Sequence, residues 1–172
     1  MLNVKAEVYW IVGPCTGHVG ILLRPRGGDW LEDEVRAWKQ SGVDVVVSLL
    51  TPEEVDHFGL EKEPNCCYDN GIECMAFRID DRSVPSSLRA ALDLLRTLAM
   101  KLRLGKNVGI HCRQGIGRSA LIASGLLIQS GMGADTVLKR VSDARGCPAP
   151  ETEEQLKWVK GLAHGIVTVE TQ

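Results

Sequence analysis

Asn107-Val108-Gly109-Ile110-His111-Cys112-Arg113-Gln114-Gly115-Ile116-Gly117-Arg118-Ser119 is the stretch that decides how this chain reads. Asn107–His111 is a short apolar run, the pattern of a strand buried on both faces. It ends in a loop carrying Gly115 and Gly117, and an apolar helix is expected over Ala120–Gln129. The two glycines let the backbone turn tightly and aim its N–H groups inward. Amides gathered at a helix N-terminus bind a tetrahedral anion, and the helix dipole adds to the attraction. The same field favours a thiolate over a thiol, which would make Cys112 a nucleophile. Arg118 stands where a planar guanidinium can clamp two phosphate oxygens, a geometry lysine cannot copy.

Working outward, Val43–Leu50 is a valine-rich run that reads as a second strand buried on both faces. Val4–Val12, His18–Leu23 and Ile72–Ile79 read as further strands. A helix is expected over Trp30–Gln40, capped by Asp29. A short one should follow Thr51-Pro52-Glu53-Glu54, where a capping residue precedes proline and a carboxylate. Leu88, Leu92, Leu95, Ala99 and Leu102 keep helical spacing in a segment running from Ser86 to about Leu104. Two more helices are expected near Ala134–Ala144 and Thr152–His164. Strands alternating with helices, then helices in a row, indicate an α/β fold with a central, mostly parallel sheet. All 172 residues are read as one domain.

The formal net charge is −2, which argues against a nucleic-acid-binding protein. The charged start of the chain lacks the apolar run of a signal peptide, and no stretch has the ~20 apolar residues that span a bilayer. A cytoplasmic location without membrane contact is therefore expected, with the six cysteines reduced. No Cys-x-x-Cys pair occurs, and adjacent Cys66 and Cys67 are badly placed to share one zinc, so no metal site is expected. Cys74 and Cys147, like the other cysteines apart from Cys112, are read as packing residues.

His-Cys-(five residues)-Arg-Ser, here HCRQGIGRS, resembles the signature of the protein tyrosine phosphatase superfamily, and the length resembles its small dual-specificity branch. The resemblance implies the cysteine-phosphatase fold, a phosphotyrosine-containing protein as substrate, and no cofactor. It implies that Cys112 attacks phosphorus to give a cysteinyl-phosphate and that Arg118 stabilises the transition state. The backbone of Arg113, Gln114, Gly115, Ile116 and Gly117 would cradle the phosphate. His111 would hold the loop by hydrogen bonds, and Ser119 would donate to Cys112 or satisfy a backbone amide. Phe77-Arg78-Ile79-Asp80-Asp81-Arg82-Ser83-Val84-Pro85 resembles the family's acid segment. Aligning Phe77, Ile79 and Pro85 makes Asp81 the general acid, with Asp80 the alternative. Gln155 matches the glutamine that places water for the second step. Arg78, Arg82 and Arg113 form a basic rim or are simply solvated.

Three other readings stay open. A rhodanese-like sulfurtransferase has a similar reactive loop, but one residue shorter. A phosphoinositide or RNA 5′-phosphatase would share the reaction, although lipid-directed relatives often carry lysines inside the loop. A non-catalytic phosphopeptide-binding module would usually have lost the cysteine or the arginine, and this chain keeps both.

Overall fold

A computed structural model describes residues 5–169 of the chain. Its sheet contains β1 (Val8–Ile11), β2 (Val19–Leu22), β3 (Val45–Ser48), β4 (Glu73–Ala76) and β5 (Val108–His111). The spatial order is β1-β2-β5-β3-β4. β1 runs antiparallel to β2, and every other pairing is parallel. β5 is therefore central, and all four of its residues are buried, as a two-sided apolar strand requires.

Helices cover both faces. α1 (Leu31–Gln40), α2 (Pro52–Phe58) and α3 (Glu63–Asp69) lie on one side. There Val35, Trp38, Leu60 and Cys67 pack with Val46 and Leu22. α4 (Leu88–Arg103), α5 (Arg118–Gln129), α6 (Ala134–Arg145) and α7 (Glu153–Val169) build the other side. Its core joins Leu94, Leu98 and Leu102 to Leu121, Ile122, Ile110 and Val141. Ser87 caps α4 by accepting from the Ala90 amide at 3.2 Å. Truncating fully buried Leu98 to alanine should cost about 3 kcal/mol in lost contacts and cavity.

Several expectations change in detail. Val4 lies outside the described residues. Asp29 does not cap a helix. It sits inside a 3-10 turn, Gly28–Trp30, and α1 begins afterwards without a side-chain cap. Backbone contact decides this: a Cβ at Gly27 would lie 2.0 Å from the Phe58 carbonyl oxygen, so the segment is wedged against the end of α2. The Ile72–Ile79 strand shortens to β4, although Phe77 and Ile79 still donate to Ser48 and Leu49 carbonyls at 2.9 and 3.2 Å. α3 had no counterpart in the sequence reading. Its buried residues are Glu63 and Cys67, so it shows no apolar periodicity. The Thr51–Glu54 capping box forms as expected, with Pro52 behind Thr51 and Gly59 closing α2 at φ +64°.

Candidate active site

The loop between β5 and α5 opens beyond the carboxyl ends of the parallel strands, where α/β sheets bind ligands. Gly115 takes φ +71°, a left-handed conformation that suits glycine. This turns its amide inward, and its N–H donates to the Cys112 sulfur at 3.3 Å. Gly117 is needed for a different reason. Its φ is −96°, but a Cβ there would lie 3.0 Å from a Glu151 oxygen and 3.1 Å from the Gln155 amide nitrogen. From outside, Arg145 donates to the Gly115 and Gln114 carbonyls at 2.8 and 3.3 Å while stacking on Tyr9. These two carbonyls are thus tied outward, and the Gly115 amide faces in to the sulfur.

Cys112 is buried at the floor of a pocket walled by Asp81, Arg82, Arg113, Gln114 and Arg118. The pocket volume is about 180 Å³. That is below the ~300–1,000 Å³ of sites that enclose whole small molecules. It suits the phosphoryl end of a substrate whose bulk stays outside.

Arg118 is the first residue of α5 and is 2% exposed, among the largest buried side chains. Its two terminal nitrogens donate to the two Glu54 oxygens at 2.7 and 2.8 Å, a bidentate pair. Nη1 also donates to the Ile79 carbonyl at 2.9 Å. Nη2 lies 3.2 Å from Asp81 Oδ1, so Asp81 occupies a place that a substrate oxygen would take. Burial works against the arginine's charge, but Glu54, Cys112 and Asp81 together raise its pKa above the ordinary value. Burial likewise works to raise the Glu54 carboxyl, but Arg118 and the Thr51 amide outweigh it and hold that carboxyl below its ordinary value.

Residues 20–132 match the family model described as Tc-R-P, polymorphic toxin system, DSP-PTPase phosphatase. The chain belongs to this phosphatase family. No significant match was found among curated proteins. Among solved structures, Tk-PTP in its active form is 30% identical, with a TM-score of 0.71 over 86% of this chain and 92% of that one. Kinase associated phosphatase, bearing serine for its catalytic-site cysteine, is 18% identical, with a TM-score of 0.85 over 96% of this chain and 98% of that one. PTPMT1 in complex with PI(5)P is 18% identical, with a TM-score of 0.74 over 94% and 99%. The fold is therefore that of dual-specificity phosphatases, and the chain is a phosphatase acting on a phosphorylated substrate.

Within this phosphatase the two candidate acids separate. Asp81 faces the pocket, while the Asp80 side chain is 70% exposed and is paired with Arg78 at 3.4 Å. Arg78 is thus outside the pocket wall. Arg82 lines it, held to Glu151 at 2.6 Å. Arg113 lies at the rim, 3.9 Å from Asp81, rather than pointing wholly away.

Three expectations are corrected. His111 does not brace the loop. Side chains alternate along β5, so its ring points away from Cys112 toward Trp38, and Nε2 pairs with Glu63 at 2.7 Å. Ser119 does not donate to Cys112. Its hydroxyl is buried without a hydrogen-bond partner among the described residues, and the sulfur is served by the Gly115 amide. Gln155 is wholly buried and its amide is committed. Nε2 donates to the Ser83 carbonyl at 3.0 Å, and Oε1 accepts from the Thr152 amide at 3.2 Å. It packs behind Gly117 and ties the Asp81 segment to the loop.

The sequence reading missed Glu54, Glu63 and Arg145. The capping box at Thr51–Glu54 was legible, but not that the same carboxylate would meet an arginine 64 positions away.

Proposed function

We propose that this phosphatase hydrolyses phosphotyrosine esters on proteins, accepting phosphoserine and phosphothreonine as well, through a cysteinyl-phosphate on Cys112. The observation that supports it best is the Cys112 sulfur held under an inward-facing amide, with Arg118 and Asp81 on the wall of one small pocket.

The phosphate enters against Arg118 and displaces Asp81 from Nη2. Loop amides and the Arg118 fork take the equatorial oxygens. The Cys112 thiolate forms an S–P bond as the P–O ester bond breaks, and Asp81, protonated, gives its proton to the leaving oxygen. In the second half, Asp81 takes a proton from water, the water oxygen bonds to phosphorus, and the S–P bond breaks to release inorganic phosphate and the thiolate. Gln155 keeps the Asp81 segment against the loop through both halves. Glu54 pins the far edge of Arg118, so the guanidinium offers its remaining donors in a fixed direction.

The small pocket favours a substrate that offers only its phosphoryl end, as a protein surface does. Six free cysteines fit a reducing cytoplasm. Among the described residues no helix is long and apolar enough to cross a membrane. We take the whole chain as one catalytic domain.

A panel of phosphotyrosine, phosphoserine and phosphothreonine peptides, with PI(5)P and 5′-phosphorylated RNA beside them, tests this reading. The phosphotyrosine peptides should give the highest kcat/KM. Cys112→Ser should lower kcat by about 10⁴-fold or more while still binding vanadate. Asp81→Asn should slow poor leaving groups by about 10²-fold, with Asp80→Asn close to wild type. Faster turnover of the lipid or the RNA would overturn the substrate class, and an active Cys112→Ser protein would overturn the mechanism.

A further inference from the structure

The back of the catalytic strand carries a second cluster that the phosphatase reaction does not use. Glu63 is 2% exposed, although it is a carboxylate. Cys67 lies one helical turn further along α3, on the same face. Cys74 arrives from the middle of β4, paired with Val46. A Glu63 carboxylate oxygen and the two sulfurs all lie within 4.8 Å of one another.

Three groups able to carry negative charge are thus gathered in the core. Cys67 and Cys74 are close enough to hydrogen-bond. A cation that replaces thiol protons answers the same geometry. Two thiolates bound at about 2.3 Å on a tetrahedral zinc lie about 3.8 Å apart, inside the observed spacing. Magnesium and calcium prefer all-oxygen sites and do not suit sulfur.

We propose that Glu63, Cys67 and Cys74 form a binding site for a thiophilic divalent cation, zinc foremost. One ion displaces two thiol protons, forms two Zn–S bonds and one Zn–O bond, and transfers no electrons. Cys74, half-buried, is the least covered of the three, so water reaches the ion there as its fourth ligand. A carboxylate has two oxygens, so Glu63 can ligate with one and keep His111 with the other. His111 is then hydrogen-bonded to a metal ligand, which fixes the orientation of that carboxylate. Neighbouring Cys66 and Cys67 pointed away from a metal site because the third partner lies on another element, brought in by the sheet.

The test uses the full chain with Cys112→Ser, which removes the catalytic thiol as a competing ligand and makes the result independent of turnover. Cobalt(II) alone is titrated in, then zinc. One cobalt per chain should produce a thiolate-to-cobalt charge-transfer band with the visible bands of tetrahedral cobalt, and zinc should bleach both. Two protons should be released per zinc. Adding Cys74→Ser or Cys67→Ser should weaken binding at least tenfold, while adding Cys66→Ser or Cys147→Ser should leave it unchanged. Cys74 is only half-buried, so its serine variant reads out binding even where Cys67→Ser impairs folding. Absence of a thiolate band, a band that survives Cys74→Ser, or one lost with Cys66→Ser overturns the proposal.

Discussion

His111 and Cys112 are neighbours in the chain, yet they face chemically opposite surroundings. In front of Cys112 lies a positive field: a buried arginine at a helix start and an amide turned inward. Glu54 and Asp81 balance that arginine, and the pocket is shaped for an anion. Behind His111 lie the Glu63 carboxylate and two cysteine sulfurs, the cluster proposed above to take a cation. Strand alternation alone separates the two. Opposite faces of one sheet can therefore present a positive pocket and an acidic cluster back to back, provided each charge has a near partner.

With Cys112 left in place, the front is broken most severely by Arg118→Lys. A point charge cannot serve Glu54 and a phosphate together, so kcat/KM should fall about 10³-fold. A loss below tenfold would mean that the amides alone hold the phosphate. Glu54→Gln should act next. It keeps the shape but removes the charge that pins Arg118. Turnover should fall about tenfold, and denaturant unfolding should show a loss of about 2 kcal/mol, the scale of a hydrogen bond to a charged group.

Acid sharpens the same point. The Glu54 carboxyl is held below its ordinary value when folded, so the unfolded chain takes up its proton first. The resulting stability is intact above about pH 4.3 and is lost as pH falls through the lowered folded value. Acid titrations of unfolding should therefore show a shallower loss in Glu54→Gln than in wild type. An identical slope would remove Glu54 from the balance.

The back should respond least. Glu63→Gln can still hydrogen-bond His111, so turnover on peptides should stay within about threefold and stability within about 1 kcal/mol. Loss of activity comparable to Glu54→Gln would show that the two sides are not separate in effect.

The catalytic loop was legible because its parts are contiguous. Strand, glycine turn and helix follow one another, so spacing along the chain is nearly spacing in space. α3 was not legible, because it buries a carboxylate and a thiol where an apolar stripe would have announced it. Gln155 and Ser119 were found as residues but not in their contacts. Hydrogen-bond partners such as the Ser83 carbonyl depend on how a distant loop docks. Alignment put Asp81 in the acid position but left Asp80 as the alternative, since adjacent residues in a loop differ in direction rather than position.

By itself the sequence determined the parallel core strands, the long α4 with its apolar stripe, and the cysteine–arginine loop, because each depends on residues within a few turns of one another. Only the tertiary structure decided that Glu54 clamps Arg118, that Arg145 holds the loop from behind, and that Glu63 meets Cys67 and Cys74. These side chains come from elements far apart in the chain, and their charges are made tolerable only by the partners that folding delivers.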